Sequence, residues 1–157
     1  MDTRSARIDR ATQFVPASRA AVWRALIDPV RLARWLPPEG MRGSVDLWEP
    51  RPGGHFRLTL SYGKAEHVAA GKTAPGTDVV EGRFVELVAS ERMAWAVTFR
   101  TDDPAFAGEM LMTWLLADAP GGAAVTIEAR NVPSGISAED HAAALASTLA
   151  NLARDLA

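Results

Sequence analysis

The chain has 157 residues, 48% of them hydrophobic and 23% charged, with a formal net charge of −2 and a pI of about 5.9. That length fits one domain, residues 1–157, with a real hydrophobic core. The small negative charge gives no general attraction to phosphate backbones, so nucleic acid is not an expected partner. Cysteine is absent, which removes disulfides, thiolate nucleophiles and thiolate metal sites together. The opening MDTRSARIDRATQF has no apolar core of a signal peptide, and no stretch reaches the length of a membrane span. A cytoplasmic protein without a stable membrane anchor is expected.

Residues 7–15, RIDRATQFV, read as a first strand leading into PASRAAVWRALIDP. Pro16 suits a first helical turn and Ser18 competes as N-cap; Val22, Leu26 and Ile27 then share one face. Asp28-Pro29 breaks this helix, and PVRLARWL makes a second short one that Pro37-Pro38 ends. From Met41 the period changes to two. GSVDLWEP and GGHFRLTLSYG read as strands, with Phe56, Leu58, Leu60 and Tyr62 on one face of the second. Residues 63–78, GKAEHVAAGKTAPGTD, lack periodicity and read as a long loop able to gate whatever lies beneath. Three strands follow, VVEGRFVELV, RMAWAVTF and GEMLMTWLLA, then a last one, AAVTIEARNV, after Gly121-Gly122.

The ending, from Ser137, is a helix. Leu145, Leu149, Leu152 and Leu156 fall four, three and four apart, one helix face, and Ser137 serves as N-cap. Strands joined by short turns make an antiparallel meander with one face that needs cover, and only this helix is long enough to cross it. A strongly twisted sheet must curl to hold it.

Chemistry is harder to find. His55, His67 and His141 form no i,i+4 pair, so neither metal nor cofactor is expected. Gly71-Lys72-Thr73 looks like the tail of a phosphate loop, but Glu66 stands where its first glycine belongs. There is no G-x-S-x-G. Glu81 and Arg83 share a strand face, and their orientation decides their meaning. Val85 and Leu87 have their parity and argue for inward, Phe84 argues for outward, and a bulge near Gly82 would reconcile them. The catalytic candidates are therefore Glu81, His67 and His141, with no constellation joining them.

Four stretches carry a resemblance: FVPASRAAVWRALIDPVRLARWLPP, PGGHFRLTL, VVEGRFVELVASERM and NVPSGISAEDHAAALASTLANLA. Together they are similar to the activator-of-heat-shock-protein-ATPase homologue family, within the superfamily of START domains, polyketide cyclases and Bet v 1-like proteins. The resemblance implies an α+β helix-grip fold: a curved antiparallel sheet of about six to seven strands around the long C-terminal helix, with two short helices after the first strand. It also implies a cavity between sheet and helix. Ala142, Ala144, Ala146 and Thr148 would leave room in it, unless the alanines face solvent as plain helix formers. Many relatives carry a Gly-Trp pair where this chain reads HAAALASTL, so ligand identity does not carry over.

The expected cavity residues are Trp35, Phe56, Leu58, Leu60, Trp95, Val97, Met110, Met112, Trp114, Leu145, Thr148 and Leu149. The expected function is binding of an apolar small molecule that is lipid-like, aromatic or polyketide-like. The alternatives are a cyclase- or hydrolase-like enzyme acting on such a ligand, and a heat-shock ATPase co-chaperone. The chain lacks the extra N-terminal domain of eukaryotic activators, which argues against the last. Edge strands allow a homodimer without requiring one.

Overall fold

Residues 7–37, 40–62 and 76–157 are described by a computed structural model. Strand β1 (Ile8–Val15) leads into two short helices, α1 (Arg19–Ile27) and α2 (Pro29–Trp35). The Ser18 hydroxyl accepts from the Ala21 amide at 3.1 Å, so α1 is capped there and Pro16 lies outside it. Asp28 ends α1 and caps α2, its carboxylate accepting from the Val30 and Arg31 amides. Pro29 occupies the first turn of α2, where a missing N–H costs nothing.

Six strands follow: β2 (Met41–Trp48), β3 (His55–Tyr62), β4 (Thr77–Val88), β5 (Arg92–Phe99), β6 (Met110–Ala119) and β7 (Gly122–Arg130). The terminal helix α3 runs from Ala138 to Asp155. The seven strands form one antiparallel sheet in the order β1-β7-β6-β5-β4-β3-β2. Strands β2 to β7 are a meander, and β1 closes on its far side by pairing with β7 from Ile8↔Arg130 to Val15↔Ala123. The segment holding α1 and α2 therefore spans the full width of the sheet. This is the helix-grip architecture. Of the expected loop at 63–78, Thr77 and Asp78 belong to β4, and residues 63–75, His67 among them, lie outside the described residues.

The grip depends on α3. Leu145, Leu149 and Leu152 are buried in the core, and Leu156 packs on it half-buried. Ser137 caps the helix by accepting from the Asp140 amide at 3.0 Å. Ala142 and Ala146 point to solvent, so there the plain helix-former reading holds.

Among the described residues two bulges bend the sheet. One falls between Val45 and Leu47 of β2, the other between Phe84 and Glu86 of β4. The second explains the conflicting parities around Glu81. Phe84 is fully buried, Val85 is the extra residue and is 42% exposed, and Leu87 packs on the core after the shift. Phe84 and Leu87 thus both face inward although three residues apart, while Glu81 and Arg83 face outward. The bulge lies at Val85 and not at Gly82.

Gly82 has a different task. It pairs with Phe56 across the β3–β4 ladder, and a Cβ there would come within 2.5 Å of both Phe56 Cζ and the Ala96 carbonyl oxygen. Absence of a side chain lets the Phe56 ring lie down over the strand. That ring belongs to a cluster of Trp48, Phe56, Phe84, Trp95, Trp114 and Trp35, several in edge-to-face contact, as at Trp35–Trp114 (5.5 Å, 78°) and Trp95–Trp114 (5.9 Å, 86°). Trp35 and Trp48 donate to the Ala25 and Ile27 carbonyls, tying α1 to the cluster. Among the described residues the buried indole N–H groups of Trp95 and Trp114 meet no acceptor.

Candidate functional site

The aromatic cluster fills one part of the space under α3, and the rest is open. A cavity of about 650 Å³ lies between the inner sheet face and the helix, a volume typical of small-molecule sites. Its sheet wall is apolar apart from Asp78 of β4: Phe56, Leu58 and Leu60 come from β3, Val80 from β4, Trp95, Val97 and Phe99 from β5, Met110 and Met112 from β6. These are alternate residues of consecutive strands, so one pleat face supplies them all. The helix contributes Asp140, His141, Ala144, Leu145 and Thr148, again one face at helical spacing. Of the small helix residues, Ala144 and Thr148 therefore border the open volume.

Two contacts frame the cavity. A short 3₁₀ turn, Pro104–Phe106, brings Phe106 against the loop before α3, where the Gly135 amide donates to the Ala105 carbonyl at 2.6 Å. A Cβ on Gly135 would sit 2.8 Å from that same oxygen and from the Phe106 ring, so glycine permits the close seat. Elsewhere on the helix, the Thr148 hydroxyl donates to the Leu36 carbonyl at 2.8 Å and the Asn151 amide to that of Pro37 at 3.0 Å. These bonds fix the end of α2 to α3, and Leu36 and Met41 add to the cavity wall there.

Most of the expected cavity residues stand together in this wall: Phe56, Leu58, Leu60, Trp95, Val97, Met110, Met112, Leu145 and Thr148. Trp35, Trp114 and Leu149 do not border it. All three are buried in the solid core, Trp35 and Trp114 because they interlock with each other, Leu149 because it is on the leucine stripe further along α3. The sequence reading missed Asp78, Phe106, Ile136 and Asp140. Asp78 falls in the expected loop at 63–78 but lies in β4, where its parity with Val80 and Phe84 carries the signal.

The catalytic candidates separate. Glu81 is on the outer face, ion-paired with Arg100, while Arg83 pairs with Glu109 at 3.1 Å; all four are solvated surface charges. His55 is also exposed, beside Glu49. His141 alone of the described candidates borders the cavity. Its Nδ1 lies 2.6 Å from Asp9 Oδ2. Asp9 in turn receives both Nε and Nη2 of Arg7, at 2.9 and 2.8 Å. Burial by itself would raise the Asp9 carboxyl, but the hydrogen bonds and charges of Arg7 and His141 outweigh it and hold it below the usual carboxylate range. Asp9 shares strand parity with Ala11 and Val15 of the core, and that was the available signal: an acid on the inward face of β1 needs a partner.

This buried pairing makes stability depend on pH. A carboxyl whose native pKa is depressed contributes fully above the ordinary value of about 3.9 and loses that contribution as pH falls through the lower native one. Asp9→Asn is expected to cost roughly 3 kcal/mol at pH 6, with the gap to the parent narrowing from pH 4 towards pH 2. Urea midpoints of both proteins across that range check it; a gap independent of pH contradicts it.

Among the described residues no three acidic or histidine side chains converge as a metal site would require, and no helix is long and apolar enough to cross a membrane. Comparison with known proteins adds the lineage. The family model described as "Activator of Hsp90 ATPase homolog 1-like protein" matches residues 16–157. The chain belongs to that family. It sits within the SRPBCC superfamily. No curated protein matches the chain. Among solved structures, a protein from Chromobacterium violaceum is 29% identical, with 95% of this chain and 96% of that one covered and a TM-score of 0.83. A Rhodobacter sphaeroides protein is 21% identical over 96% of this chain and 91% of its own, TM-score 0.75. An AHSA1-like protein from Aeromonas hydrophila is 18% identical over 95% and 91%, TM-score 0.70. The last two speak to the fold alone.

Proposed function

We propose that this family member binds an apolar small molecule, lipid-like, aromatic or polyketide-like, in the cavity between the sheet and α3. The observation that carries this reading is the open volume of about 650 Å³ in a molecule whose aromatic cluster shows that it can pack solidly elsewhere. A domain core is close-packed with few voids larger than a water. Space of this size, walled by Met110, Met112 and aromatic rings, favours an adaptable apolar guest over an unfilled core.

The test is a titration with N-phenyl-1-naphthylamine, an uncharged dye that fluoresces in apolar surroundings. One saturable site per chain is expected, and an organic extract of the purified protein should yield a hydrophobic compound by mass spectrometry. Absence of any saturable enhancement overturns the binding reading.

A further inference from the structure

We infer that the guest is aromatic: a rigid, flat ring system rather than a flexible hydrocarbon chain, recognised by the phenyl rings and thioethers of the cavity wall. This deepens the binding reading and rests on it. The signal is the placement of two residue types. The chain has five phenylalanines and five methionines. Three of each, Phe56, Phe99 and Phe106 with Met41, Met110 and Met112, border this one cavity. An aliphatic wall would bury a lipid tail equally well. Rings and thioethers add something more only when the guest itself has a π system. Ring pairs in offset or edge-to-face contact gain beyond the area they bury, and a thioether sulfur gains at a ring edge.

The wall holds these groups in two ways. Phe56 and Trp95 are almost wholly buried, with ring centroids 4.8 Å apart, and the aromatic cluster braces both. Phe84 lies 5.3 Å from Phe56, and Trp48 and Trp114 lie 6.3 and 5.9 Å from Trp95. Rings held on several sides keep one orientation, so little ordering is left for a guest to impose. Phe99, Phe106, Met41 and Met112 are half-buried and offer more surface, and the unbranched methionines can settle against a ring edge. Shape agrees with this chemistry. The walls come from four adjacent strands, β3 to β6, a width of about 14 Å at the usual strand spacing. Along α3 they run from Asp140 to Thr148, about 12 Å. A space nearly as wide as it is long lets a flat ring system touch several strands and the helix at once. A straight chain follows one row of side chains, or gives up freedom in order to coil.

Three alcohols of equal carbon count decide this: 2-naphthalenemethanol, its decahydro form and 1-undecanol, each used to displace N-phenyl-1-naphthylamine. All carry one primary alcohol, so only the hydrocarbon differs. Transfer out of water alone favours the saturated compounds, which have more apolar surface to bury, so a preference for the naphthyl compound measures recognition of its rings. That compound is expected to displace the dye at about one-tenth of the concentration the other two need. Phe99→Leu and Met112→Leu keep apolar bulk while removing a ring and a thioether. Each should cut the preference for the naphthyl over the decahydro compound by about threefold. A general loss of packing weakens both compounds alike and leaves that ratio unchanged. A drop in either variant upholds the inference, so a folding failure in one leaves the other to decide. Equal or tighter binding of the decahydro compound or of undecanol by the parent, or a preference undiminished in both variants, overturns the inference and leaves the binding reading intact. A parent that takes up no dye at all overturns both.

Discussion

Removal of residues 137–157 is expected to abolish cooperative folding of the chain. The helix lost is the cover of the sheet's inner face: Leu145, Leu149 and Leu152 are each at most 4% exposed, and burial of three leucines contributes roughly 5–9 kcal/mol. Net stabilities of domains are only about 5–15 kcal/mol, so the deletion removes most of the margin. It also leaves Asp9 without His141 and exposes Val125 and Ile127 of β7 on the same face. The Thr148 and Asn151 bonds that hold the end of α2 vanish with it. The expected product is insoluble, or a compact chain with strands but without a sharp denaturant transition. Circular dichroism and urea titration of the truncated protein check this. A soluble truncation that unfolds in one cooperative step would mean that the sheet is self-sufficient and the helix only decorates it.

Why the architecture was legible in the sequence follows from how its elements signal. Period-two runs bounded by Gly53-Gly54 and Gly121-Gly122, and a leucine stripe behind Ser137, are local patterns, and local patterns survive reading one residue at a time. The faces of strands β3, β5 and β6 followed from alternation alone. Strand β4 defeated that method because the extra residue Val85 resets the alternation within the strand, and nothing in FVELV distinguishes a bulge from a regular ladder. The division between solid core and open cavity was illegible for another reason. Trp114 and Met112 are neighbours on one face of β6, yet Trp114 interlocks with Trp35 from α2 and Met112 faces empty volume. Only the placement of α2 decides which is which. The pairing of Asp9 with His141 spans 132 residues, joining the first strand to the last helix, and no spacing rule reaches that far.

Met112→Trp is the substitution expected to have the largest effect on ligand uptake with the smallest effect on the fold. Met112 is the third residue of β6, opposite Trp95 on one side and Ala129 on the other, and its side chain is only half-buried because it borders the cavity. In a close-packed core the added bulk of an indole would force neighbours off their rotamers and cost about 1–3 kcal/mol. Here the ring has open volume in front of it and adds apolar contact to Trp95, so the change in stability should stay below about 1 kcal/mol. The same ring occupies part of the space a guest needs. Affinity for N-phenyl-1-naphthylamine should therefore fall by more than about tenfold, since a probe competing with a fixed side chain loses at least one hydrogen-bond's worth of contact energy. Urea melts and dye titration of parent and variant give both quantities. A variant strongly destabilised, made from a parent that binds no dye, would show that Met112 sits in an ordinary filled core and that the space beneath α3 is not a binding site.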